Sequence, residues 1–103
     1  MLSKKFRLNR KQIGLIHKKG RRFNFGGIGV KYLPNRLEFS RFAVNVPVKV
    51  SKKATERNRL RRIVYDEIGM AKPTGAVDCL IGIYRKDDEV AVRQKIKKIC
   101  ANL

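Results

Sequence analysis

With 103 residues, 26 Lys and Arg against 8 Asp and Glu, and a formal net charge of +18, the chain has room for one domain with one core, and that domain is suited to a polyanionic partner. Apolar residues make up 43% of it, enough Val, Ile, Leu and Phe to exclude a disordered basic tail. No apolar run approaches the about 18 residues of a spanning helix, and Met1-Leu2-Ser3-Lys4-Lys5 lacks the apolar segment of a secretory signal, so the expectation is a cytoplasmic protein bound to nucleic acid and not to membrane.

In chain order, residues 1–8 read as a flexible basic arm. Asn9 is a helix N-cap with Gln12 three residues on, and Leu8 with Ile13 supplies the staple, so a helix is expected over 10–19, closed by Gly20. Residues 21–27 read as a glycine-rich basic loop. Ile28, Val30 and Tyr32 alternate on one face of a strand, and Pro34-Asn35 turns the chain. A second strand runs from Phe39 to Val46, with Phe42, Val44 and Val46 on one face and Arg41, Ala43 and Asn45 on the other. Pro47 ends it, and a short third strand is expected over Val48 to Ser51.

Leu60, Ile63, Val64 and Ile68 form the apolar stripe of a helix over 55–68, with Gly69 as its end. Ala76 to Tyr84 is the most apolar stretch, a central strand covered on both faces. Asp87 and Asp88 cap a last helix that buries Val92, Ile96, Ile99 and Leu103. Cys79 and Cys100 have no metal or redox spacing and read as small core residues, and the lone His17 has no metal-binding partner motif. The element order is α-β-β-β-α-β-α in a single α+β domain spanning 1–103.

The chemistry concentrates in Lys49-Val50-Ser51-Lys52-Lys53-Ala54-Thr55-Glu56-Arg57-Asn58-Arg59-Leu60-Arg61-Arg62. With Leu60, Ile63 and Val64 facing the core, Asn58, Arg61, Arg62 and Tyr65 turn toward the flank and solvent. Arg57, Asn58 and Arg61 are close enough to act as one cluster. Crowded guanidiniums repel one another, but aimed at phosphates they form bidentate charge-assisted bonds. Lys49, Lys52 and Lys53 extend the positive surface, and Arg59 belongs to the same run.

A generic Lys-rich helix is often only a solvated face. This run is Arg-rich, contains Asn, holds one acid and sits in a chain of net +18, which favours nucleic acid. RNA is preferred to duplex DNA because no zinc-finger, zipper or clear helix-turn-helix pattern is present. In addition, Gly29, Lys31, Ala43 and Asn45 beside Phe23, Phe25 and Tyr32 could seat an unpaired strand. Phe42 and Tyr32 fit the core, while Phe23 and Phe25 fit either role. The polypeptide has no constellation of catalytic residues. Either a ribonucleoprotein-enzyme subunit or a non-catalytic ribosomal or assembly RNA-binding protein fits these features.

Arg41-Phe42-Ala43-Val44-Asn45-Val46, followed by the run from Lys49 to Ile63, resembles the signature of the bacterial ribonuclease P protein component. The resemblance extends over nearly the whole chain. It implies an α/β sandwich like the second domain of ribosomal protein S5 with a left-handed βαβ crossover. It also implies that Lys49, Arg57, Asn58, Arg59, Arg61 and Arg62 face a catalytic RNA subunit. A cleft between the first helix and the sheet, lined by Ile13, His17 and Lys31 with Ala43 and Asn45, would hold the 5′ leader of precursor tRNA. Mg²⁺ would be held mainly by the RNA, with one protein monomer per RNA. Aromatics are common in the family where Ile13, His17 and Lys31 stand. Counting back from Arg57, the family's Ser-Lys-Lys step falls on Pro47-Val48-Lys49, and Tyr65 replaces a common basic residue.

Overall fold

The computed structural model describes residues 4–73 and 75–103. The helix expected over 10–19 is α1, Arg10–Lys19, and its capping box is complete. Asn9 Oδ1 accepts from Gln12 N at 2.9 Å, and Asn9 N donates to Gln12 Oε1 at 2.8 Å. Next come β1 (Arg21–Phe25), β2 (Ile28–Pro34), β3 (Arg41–Asn45), α2 (Ala54–Ala71), β4 (Val77–Ile83) and α3 (Glu89–Ala101).

The four strands form one sheet in the order β1-β2-β4-β3. The β1–β2 and β2–β4 pairs are antiparallel, and β3 runs parallel to β4 through the α2 crossover. Alternation along the strands splits the apolar residues between two faces. Ile28, Val30, Phe42, Cys79, Ile81 and Ile83 pack under Leu60, Ile63, Val64 and Ile68 of α2 and Val92, Ile96 and Ile99 of α3. On the opposite face Ile16 of α1 packs on Ala43 and Leu80, with Leu8, Ile13 and Leu33 around it. β4 is buried on both faces, the position its nearly unbroken apolar sequence requires.

Several expectations need correction. The third strand is β1, and not Val48 to Ser51. Residues 21–25 pair with β2 through the Gly26-Gly27 turn, whose φ values of 57° and 84° only glycine adopts without strain. Pro47 to Val50 is a turn, closed by Val50 N donating to Pro47 O at 3.0 Å. Gly69 does not end α2. The helix runs to Ala71 and stops at Lys72, in the left-handed region with φ 45°, just before Pro73.

Asp88 alone caps α3, accepting from Ala91 N at 2.8 Å. Asp87 instead pairs with Lys95 at 2.7 Å, which holds its carboxyl below the ordinary value. The arm expected to be flexible over 1–8 is docked where it is described. Leu8 N donates to Phe42 O at 2.8 Å, and Phe6 meets Phe39 edge-on at 5.3 Å. Residues 1–3 lie outside the described residues.

Cys79 and Cys100 are buried free thiols in the α2–α3 core. Burial pushes the Cys79 thiol far up. It also raises Cys100 to about 11, with the charge of Glu67 adding to the effect. Only the thiolate attacks thiol reagents, so at pH 7 roughly one Cys100 in ten thousand would be reactive even if it were reached. The native protein is therefore expected to resist alkylation, with both thiols reacting after denaturation. Rapid native labelling would contradict this burial.

Candidate nucleic-acid interface

Each basic residue at the start of α2 is placed by its position around the helix. Leu60, Ile63, Val64 and Ile68 point into the core, so Asn58, Arg59 and Arg62 are exposed while Arg57 and Arg61 lie half-buried along the flank. Arg61 Nη2 donates to Asn58 Oδ1. Arg62 makes no hydrogen bond or ion pair among the described residues. Lys49, Lys52 and Lys53 are exposed on the turn and step that lead into the helix.

Arg57 does not join Asn58 and Arg61 in one outward cluster. Its Nη1 turns back to donate to Ser51 O at 2.9 Å and Lys52 O at 3.1 Å, so it clamps the step before the helix. The same step is fixed from within by Ser51, whose hydroxyl donates to Glu56 Oε2 at 2.7 Å. Glu56 in turn meets Lys86 at 2.8 Å, and the hydrogen bonds from Lys86 and then Ser51 lower its carboxyl pKa. Arg59 leans the other way, toward Glu89 at 3.4 Å. Tyr65, expected at the flank, is half-buried. Burial raises its phenol pKa against a hydrogen bond to the Val44 backbone and the charges of Arg7 and Arg61. Arg7 therefore belongs to the same positive flank, which links the docked N-terminal segment to α2.

The charge is asymmetric. The surface carboxylates Glu56, Asp87 and Glu89 cluster where α2 and α3 begin. There they pair with Lys86, Lys95, Arg59 and Arg93. The turn around Asn58, Arg61 and Arg62 is left positive. Among the described residues no group of three or more His, Cys, Asp or Glu side chains could hold a metal ion, and no helix is long and apolar enough to cross a membrane.

The sheet face beneath α1 carries the second candidate region. Strand register sets two rows across it, Arg22–Lys31–Leu80–Ala43 and Asn24–Gly29–Gly82–Asn45. α1 covers part of the first row. Ala43 is buried beneath Ile16, so it lets the helix approach and offers little surface of its own, and Ile13 is half-buried beside it. His17 is exposed, and its Nδ1 lies 3.0 Å from Lys31 Nζ. The ammonium has only protons to give, so Nδ1 is the acceptor. Asn45 is exposed at the end of β3. Lys31, Leu80, Arg22, Asn24 and Gly29, with Tyr84 beyond the end of β4, line an open groove of about 490 Å³.

The ribonuclease P family model matches residues 2–101. The chain belongs to the ribonuclease P family. Its structure is similar to that of the RNase P protein from Thermotoga maritima solved in complex with 1-(4-fluorophenyl)-2-thiourea. That match has a TM-score of 0.81 and 27% identity over 91% of this chain and 95% of that one. A second structure of the Thermotoga protein aligns at TM-score 0.80 and 26% identity, covering 94% of this chain and 96% of the other. The RNase P protein of Staphylococcus aureus shares the fold at TM-score 0.84 and 16% identity, with 94% of each chain covered. No curated protein sequence matches the chain.

As a ribonuclease P protein subunit, the chain takes part in tRNA processing and associates with ribonuclease P RNA. Three groove residues escaped sequence reasoning. Arg22 and Asn24 fell in a stretch read as loop, although Phe23 and Phe25 alternate with them at strand period. In the sequence Tyr84 marks only the end of an apolar stretch. Its signal was the pair of glycines inside strands, Gly29 and Gly82, which often marks a close approach by another group.

Proposed function

We propose that this ribonuclease P subunit grips the catalytic RNA through the arginine face of α2 and holds the 5′ leader of precursor tRNA across the sheet face beneath α1. The observation that carries this reading is the turn of Asn58, Arg61 and Arg62, left positive while Glu56, Asp87 and Glu89 are paired with other basic residues where α2 and α3 begin. Lys49, Lys52 and Lys53 add phosphate contacts from the preceding step, and Arg59 contributes at its margin. Arg57 supports the interface mainly by holding that step in shape. Lys31, steered by His17, reaches leader phosphates beside Asn45, while Ile13 and Ala43 set the spacing between α1 and the sheet.

In this reading the RNA, with its bound Mg²⁺, hydrolyses the phosphodiester bond that frees the mature tRNA 5′ end. The protein lowers repulsion between two polyanions and fixes the leader. It works in the cytoplasm as a monomer, one per RNA. The test is reconstitution of this protein with bacterial ribonuclease P RNA and precursor tRNA at low Mg²⁺. Faster 5′ processing than with RNA alone is expected. Binding without any gain in processing would instead favour a non-catalytic RNA-binding protein.

A further inference from the structure

In the middle of the row Asn24–Gly29–Gly82–Asn45, the two central positions have no side chain, and Tyr84 folds back over them. A Cβ built on Gly29 would come 2.5 Å from Tyr84 Cε2. One built on Gly82 would come 2.5 Å from the phenol oxygen and 2.6 Å from Cζ. Any other residue at either position would drive the ring off the sheet. The glycine pair thus forms a backbone seat for an aromatic side chain that remains 57% exposed at the edge of the groove.

The seat fixes the ring with one face toward the groove, and its surroundings indicate what it could receive. Arg22 and Lys31 stand in the neighbouring row, on the same face. Asn24 lies beside the ring, its Oδ1 3.4 Å from the Gly29 Cβ position, and Asn45 ends the row on the other side. An aromatic face, two cations and an amide within one open groove, with a second amide at the end of the row, match the parts of an unpaired nucleotide: a base to stack, phosphates to neutralise, and base edges to hydrogen-bond. A protein partner would need a broader apolar surface than this groove presents.

We infer that Tyr84, seated on Gly29 and Gly82, is the residue on which a base of the single-stranded leader stacks, with Arg22 and Lys31 holding the flanking phosphates. This rests on the leader reading above and assigns that region an aromatic contact from the residue after β4 instead of from α1. Tyr84 positions the leader and takes no part in bond cleavage.

The test uses holoenzyme reconstituted from this protein and bacterial ribonuclease P RNA, with precursor tRNAs carrying long and short leaders. Wild type is expected to bind the long leader more tightly. Tyr84→Leu should weaken long-leader binding by at least about fivefold, the low end for loss of one stacked base, and leave the short leader unchanged. Tyr84→Phe should restore it. If wild type prefers the long leader and Tyr84→Leu keeps that preference, Tyr84 is not the stacking residue and the leader reading survives. If wild type shows no preference at all, both fail. A measurement on the unaltered protein guards against a variant that misfolds. 5-Iodouridine placed along the leader should photocrosslink to Tyr84, and crosslinks confined to α1 would overturn the assignment.

Discussion

Replacing Arg61 and Arg62 together by alanine is expected to weaken binding to ribonuclease P RNA about 30-fold near 0.1 M salt while leaving the fold intact. The magnitude follows from counterion release. Each phosphate contact contributes a slope of roughly −0.7 to −0.9 to log affinity against log salt, so two lost contacts flatten the slope by about 1.4 to 1.8. Wild-type and variant lines then converge near 1 M salt and differ by about 25- to 60-fold a decade lower. Stability should change little. Arg62 has no bonded partner among the described residues, and Arg61 bonds only the exposed Asn58 in the interactions that place it.

The choice of pair comes from the structure. Arg57 would be a poorer probe, because its bonds to Ser51 O and Lys52 O tie it to the local fold, and its loss would mix electrostatics with a loosened step. Filter binding over a salt series, with far-UV circular dichroism alongside, makes the measurement. An unchanged salt slope would remove these two arginines from the RNA interface.

What could be read from the chain alone follows from which residues carry local signals. The Asn9–Gln12 box, the stripe Leu60-Ile63-Val64-Ile68 and the apolar run of β4 each hold their pattern within a few residues, and each lies where the pattern puts it. The failures lie where the deciding interaction is distant in sequence. Arg21 to Phe25 is exposed throughout, so its short alternation of Phe23 and Phe25 with polar residues is a weak signal, and pairing with β2 is what makes it a strand. Gly69 is a weak helix former, yet Ile68 is anchored in the core on one side and the chain stays helical until Lys72 and Pro73 stop it. Periodicity could place Arg57 on the flank of α2, but not tell that its guanidinium turns back to the step before the helix. Tyr84 is the clearest case. The two glycines beneath it are far apart in sequence and meet only because β2 and β4 pair in that register.

Asp78→Ala is expected to cost about 3 kcal/mol or more, a large share of the roughly 5–15 kcal/mol that holds a domain of this kind together. Asp78 and Arg41 face each other across β4 and β3, and both are largely withdrawn from water, with side-chain exposures of 10% and 21%. Arg41 Nε donates to Asp78 Oδ1 at 2.8 Å and Nη2 donates to Oδ2 at 2.7 Å. Asn35 Nδ2 donates to Oδ1 at 3.0 Å and to Phe39 O at 3.2 Å, so one carboxylate also anchors the β2–β3 connection.

Truncating Asp78 would leave the guanidinium desolvated without its counter-charge and the Asn35 amide short of an acceptor, which is why removing one partner costs more than the pair contributes. For a domain of this size the loss corresponds to a fall in Tm of more than about 10 °C. Arg41→Ala in the same background should add less than it does alone, with a coupling of about 1–3 kcal/mol in the double-mutant cycle. Additive effects would mean that the two groups are solvated independently. RNA affinity of Arg41→Ala, measured well below its lowered Tm, should be close to wild type, because the guanidinium is held in a two-bond pair with Asp78 and is largely withdrawn from water. This arginine, although it opens the strand that leads to the basic helix, is expected to build the platform and not the contact surface.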